Sequence, residues 1–138
     1  SPWIGIRLTQ LRAMPELARW LMYAIVRRVD RQMVGHVGFH SAPGPAYLSE
    51  IAPAGLEIGY SVFAPFQGRG DATPAASALI RRANREHGVN EFVASIARDN
   101  TASQRVAEKI GFKFLRKFEP EDPDREDIFL LRRATDDN

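Results

Sequence analysis

The chain has 138 residues, 44% of them hydrophobic, which suits one domain with its own core, and no apolar run approaches membrane-spanning length. It contains no cysteine, so disulfide staples and a cysteine nucleophile are excluded, and a reducing, cytoplasmic setting is expected. Nineteen Lys and Arg against seventeen Asp and Glu leave a formal charge of +2, too small an excess to require a nucleic-acid or membrane partner.

In chain order, Ile6 to Trp20 carries apolar residues at helical intervals interrupted by Pro15, and predicts one or two short helices. Leu21 to Val29 and Met33 to Phe39 read as two strands joined at Asp30-Arg31, a hairpin. Ser41 to Gly55, with three prolines and two glycines, reads as a surface loop. A third strand, LEIGYSVF, spans Leu56 to Phe63, and its Gly59 implies a bulge or a backbone that faces a ligand. A helix follows from Ala72 to His87, with Ala72, Ala75, Ala76, Leu79, Ile80 and Ala83 as its apolar stripe. Pro74 is tolerated in its first turn and Gly88 ends it. A short strand from Phe92 to Ala97 leads to Asn100, which caps a helix from Thr101 to Ile110 with Ala102, Val106 and Ile110 facing the core. Phe112 to Phe118 and Asp127 to Arg132 read as closing strands around an acidic loop. The pattern is that of an α/β domain, a sheet with helices packed on it.

The segment Gln67-Gly68-Arg69-Gly70-Asp71-Ala72 joins the third strand to a helix start. Glycines admit backbone angles that side chains forbid, and the first amides of a helix have no intrahelical acceptor. Together they suit an anion, with Arg69 adding positive charge. The spacing is neither the dinucleotide fingerprint, which needs a third glycine, nor a P-loop, which needs Lys-Ser or Lys-Thr.

This segment resembles the Q/R-x-x-G-x-G/A signature of the GNAT superfamily of acyl-CoA-dependent N-acetyltransferases. ARDNTASQRVAEKIGFKF, from Ala97 to Phe114, is similar to the later N-x-x-S, helix, Gly-Phe segment of that family, and LEIGYSV to its preceding strand. The two motifs stand in the family's order across roughly Ala24 to Arg132, and most resemble the branch that includes ribosomal-protein N-terminal acetyltransferases. The resemblance implies a mixed central sheet flanked by helices, spanning residues 1–138 as one domain. The short segment before the hairpin implies that the family's first strand is missing or that the chain starts inside the domain. It also implies acetyl transfer from acetyl-CoA to a primary amine, of a small molecule or a protein N-terminus. The amides around Gln67, Gly68, Arg69, Gly70, Asp71 and Ala72 would hold the pyrophosphate, and the backbone of Ser61, Val62 and Phe63 the pantetheine arm. Asn100 and Ser103 would lie along the arm, and a second copy of the chain is a candidate partner. Asp71 departs from a position that is aromatic or aliphatic in this branch.

Direct acetyl transfer needs a group that takes up the amine's proton and one that serves the leaving thiolate. Glu57 is the candidate base, on the strand face shared with Gly59 and Ser61, and Ser103 the candidate hydrogen-bond donor to thiolate or carbonyl. Tyr60 reads as packed, Trp20 as a core anchor, His36 and His40, of one parity on the second strand, as sheet-edge residues or, second, substrate contacts, and His87 as a cation at a helix end. Two rival readings are a CoA-binding domain without turnover, and a nucleic-acid module using Arg27, Arg28, Arg81, Arg82 and Arg85. The second lacks aromatic residues interleaved with those arginines.

Overall fold

The computed structural model describes residues 18–21, 23–117 and 126–134. The helices expected before Trp20 lie outside the described residues except for one turn, α1 (Ala18–Leu21), as does most of the acidic loop. Six strands follow, β1 (Tyr23–Val26), β2 (Met33–Phe39), β3 (Leu56–Val62), β4 (Glu91–Ala97), β5 (Lys113–Lys117) and β6 (Glu126–Arg132). Helix α2 (Ala72–His87) lies between β3 and β4, and α3 (Thr101–Ile110) between β4 and β5. The expected α/β architecture is what is found, a mixed sheet ordered β1-β2-β3-β4-β6-β5 with helices packed on it. Among the described residues, no helix is long and apolar enough to cross a membrane.

Every neighbouring pair of strands is antiparallel except β3 and β4, which run parallel. Those two pair only at Leu56 with Phe92 and Glu57 with Val93, so the sheet forks beyond them. The register sorts side chains by parity. Val37, Phe39, Leu56, Ile58, Tyr60, Phe92, Ala94, Ile96 and Phe129 form one face, packed with Ala76, Leu79, Ile80 and Ala83 of α2. Trp20 anchors this core, 8% exposed, its ring 6.2 Å from that of Phe39 and 4.6 Å from that of His87. Glu57, Gly59 and Ser61 point to the opposite face, as their alternation predicts.

That second face has its own small cluster, Leu48, Ala52, Val93 and Ile128. The segment from Ser41 to Gly55 is therefore more than a surface loop. It carries a 3-10 turn (Ala46–Leu48) whose Leu48 is buried against the sheet, an anchor hidden in the sequence by the prolines around it.

Other differences are local. The first strand is shorter than expected, and Gly59 sits in unbroken register opposite Gly38, with no bulge. In α3 the buried residue is Ala107 and Ile110 packs against the core as expected, whereas Ala102 is exposed and Val106 only half-buried, because the face starting at Ala102 lines a cleft. Both helices end on left-handed glycines, Gly88 at φ 66° and Gly111 at φ 116°.

Candidate functional site

The fork has a chemical consequence that follows from ladder alternation. Phe63 N–H donates to the Val34 carbonyl at 2.8 Å and His40 N–H to the Glu57 carbonyl at 3.0 Å, which marks the hydrogen-bonded pairs of β2 and β3. The backbone of Gly59, Ser61 and Phe63 therefore faces β2, and that of Tyr60 and Val62 faces β4, where no paired residue meets it. Of the three residues expected to offer backbone groups, Val62 turns its amide toward the gap. Tyr60 joins it, while Ser61 and Phe63 spend theirs on β2. Gln67 turns inward and its Nε2 donates to the Val62 carbonyl at 3.0 Å, tying the glycine loop to the strand end.

A cleft of about 410 Å³ opens there, between β3, the loop, the start of α2 and one face of α3. Gly68 and Gly70 both hold left-handed angles, φ 79° and 78°. No described protein acceptor takes the amides of Gly68, Arg69, Gly70, Asp71 or Ala72. The Asp71 side chain makes no capping bond to the helix, so it leaves those donors uncovered; its own Oδ2 is buried without a partner. Arg69 lies over the Phe66 ring at 6.0 Å, with Arg27 over the same ring at 5.1 Å. Arg105 and Lys109 also line the cleft. Sequence reasoning missed this pair, although the Asn100 cap sets the helical phase that places 102, 105, 106 and 109 on one side. Five uncovered amides and three cations make a donor set that fits a diphosphate.

Across the cleft, Asn100 Oδ1 accepts from Ser103 N–H at 3.1 Å, so this side-chain oxygen is a helix cap. Gln104 Nε2 donates to the carbonyls of Ala97 and Arg98 at 3.2 and 3.0 Å, fixing α3 to the end of β4. Tyr60 O–H donates to the Ser103 carbonyl at 2.8 Å. Burial pushes the Tyr60 hydroxyl up to about 12, partly opposed by that bond, so it keeps its proton and serves packing. The Ser103 hydroxyl has no described protein partner and lines the cleft.

Glu57 lies on the other face at the base of the fork, 8% exposed. Its Oε1 accepts from Tyr47 O–H at 2.8 Å and stands 3.4 Å from His40 Nδ1. Burial would raise this carboxyl, but hydrogen bonds from His40, Tyr47 and Ser95 outweigh it and hold it below the usual carboxylate range. Glu126, on the same face of β6, is raised, first by burial and then by the Glu57 charge. Tyr47 went unnoticed in the sequence because it meets Glu57 only through the fold.

Comparison with known proteins sets this geometry in a family. Residues 3–113 match the model of the acetyltransferase (GNAT) domain. Among curated proteins, none matches the chain. A protein from Bordetella pertussis assigned to the GNAT acetyltransferases is 29% identical, with a TM-score of 0.70 over 94% of this chain and 75% of that one. The ribosomal-protein-S5-alanine acetyltransferase of Vibrio fischeri is 21% identical, with a TM-score of 0.67 over 95% of this chain and 70% of the other. A microcin C7 self-immunity acetyltransferase, solved with acetyl-CoA and AMP, is 25% identical, with a TM-score of 0.55 over 75% of this chain and 55% of that chain. The chain thus spans 55% to 75% of the length of these three. A forked sheet, a glycine loop of uncovered amides at a helix start and a family match over residues 3–113 lead to one assignment: the chain belongs to the GNAT acetyltransferase family.

Proposed function

We propose that this chain is an N-acetyltransferase that moves the acetyl group of acetyl-CoA directly to a primary amine, of a small molecule or of a protein N-terminus. The observation that carries the reading is the row of uncovered amides from Gly68 to Ala72 beside the gap in the sheet. Acetyl-CoA, when bound, supplies the thioester. The loop amides with Arg69, Arg105 and Lys109 bind its phosphates, and the Tyr60 and Val62 amides orient its arm. Ser103 Oγ offers a hydrogen bond to the departing sulfur, and the cluster around Glu57 takes up the proton. Glu57 and Glu126 give the acceptor side a negative character that suits an ammonium group. The domain reading treats residues 1–138 as one acetyltransferase unit.

The test is acetyl-CoA consumption against a panel of small amines and short peptides with free N-termini. Turnover of any of them supports the reading; tight acetyl-CoA binding with no turnover of any acceptor would favour a non-catalytic CoA-binding domain.

Two further results are expected. Ser103→Ala should lower kcat by about 10- to 100-fold, the worth of a hydrogen bond to a charged group. The acetyl-CoA dissociation constant should barely change, because both the cap and the Tyr60 bond use the Ser103 backbone. Arg105→Ala with Lys109→Ala should weaken acetyl-CoA binding about 10-fold at low salt, and less at high ionic strength where the exposed charges are screened. Titration calorimetry at two salt concentrations checks it.

A further inference from the structure

Among the described residues that line the cleft, Asp71 alone carries a carboxylate. It stands inside the row of uncovered amides, and it also borders a groove between β1 and α2. Nothing described neutralises it. Arg69 lies over the Phe66 ring, Arg27 pairs with Asp30 at 3.1 Å, and Arg82 pairs with Glu86 at 3.1 Å. The side chain makes no capping bond, and its buried Oδ2 has no hydrogen-bond partner. A buried carboxylate oxygen without a donor works against folding, so stability does not account for this side chain.

Building on the acetyltransferase reading, we propose that Asp71 is an affinity-setting residue. Its charge repels the diphosphate that its own backbone amide helps to hold, so acetyl-CoA and CoA are both bound weakly and CoA departs quickly. Substrate and product carry the same diphosphate, and acetyl transfer leaves that group unchanged. The repulsion is therefore equal in the ground state and the transition state, and it raises KM without raising kcat. The four other donors of the loop, with Arg69, Arg105 and Lys109, keep binding favourable overall. At the effective dielectric of a half-buried residue, removing one such charge changes affinity by about 5- to 10-fold.

Titration calorimetry on the full chain, in buffer without divalent cations, tests the proposal with four ligands: inorganic pyrophosphate, acetyl-CoA, CoA and S-acetylpantetheine. Asp71→Asn and Asp71→Leu should both bind the first three about 5- to 10-fold more tightly than the wild type. The gain should shrink at high salt. S-acetylpantetheine, which carries the thioester but no phosphate, should show no gain, and Asp71→Glu, which keeps the charge, should show none with any ligand. With an acceptor from the amine panel, Asp71→Asn should lower the KM for acetyl-CoA and the CoA inhibition constant by the same factor, with no rise in kcat. Weaker binding by both uncharged variants would mean that the carboxylate serves the ligand, and would overturn the proposal. A gain with asparagine alone would credit the new amide donor, and a gain with S-acetylpantetheine would credit a rearranged loop; either overturns it. Unchanged constants in a chain that acetylates amines would overturn it while leaving the acetyltransferase reading intact. The expected gains in a chain that acetylates no amine would uphold it and sink that reading.

Discussion

Replacing both loop glycines, Gly68→Val with Gly70→Val, is expected to weaken acetyl-CoA binding about 30-fold or more while the fold melts nearly as before. Each glycine sits near φ +78°, a region that costs a side-chain-bearing residue about 1–2 kcal/mol and a β-branched one more. Two such sites make about 2–4 kcal/mol, and about 1.4 kcal/mol is a tenfold change in affinity. A built Cβ meets nothing within 4 Å at either site, so no collision confuses the result; only backbone preference is altered. The loop will relax out of the left-handed region and its amides will no longer converge. Titration calorimetry with acetyl-CoA reads the loss, and a thermal melt reads the fold. An unchanged dissociation constant would mean that the phosphates are held elsewhere.

Phe92→Ala is expected to cost about 3–5 kcal/mol of stability, as other buried phenylalanine truncations do. Phe92 is fully buried, its ring 6.0 Å from that of Phe39, and it stands opposite Leu56 in one of the two residue pairs that close the fork. With total stabilities of about 5–15 kcal/mol for ordinary domains, that loss takes a large share of the whole. Urea unfolding should show the midpoint falling steeply. A cost below about 1 kcal/mol would mean that the pocket collapses around the smaller side chain.

The regular elements were readable because their signals are local. Helix α2 runs from Ala72 to His87 and α3 from Thr101 to Ile110, as proline in the first turn, the Asn100 cap and the two terminal glycines dictate. The glycine loop and its place before a helix were legible for the same reason, since the two are contiguous. What stayed hidden depends on contacts between distant segments. Glycine at 59 signals an unusual need, but nothing nearby says that a Cβ there would meet a histidine nineteen residues earlier. The direction of each backbone group on β3 required the register against β2, which no single strand discloses. Asn84 is another such case. It lies in a helix stripe read as alanine and leucine, yet is fully buried and donates to the carbonyls of Val89 and Arg133. It ties the end of α2 to the end of the last strand, a role that only the tertiary fold creates.

The fork also bears on self-association. An unpaired strand edge on the outside of a sheet invites other chains to add to it, and proteins guard such edges with charge, proline or short length. Here the unpaired stretch from Tyr60 to Val62 is interior, enclosed by the glycine loop and α3. The hydrogen-bonding groups that would be an aggregation hazard at the rim are thereby withheld from bulky chains.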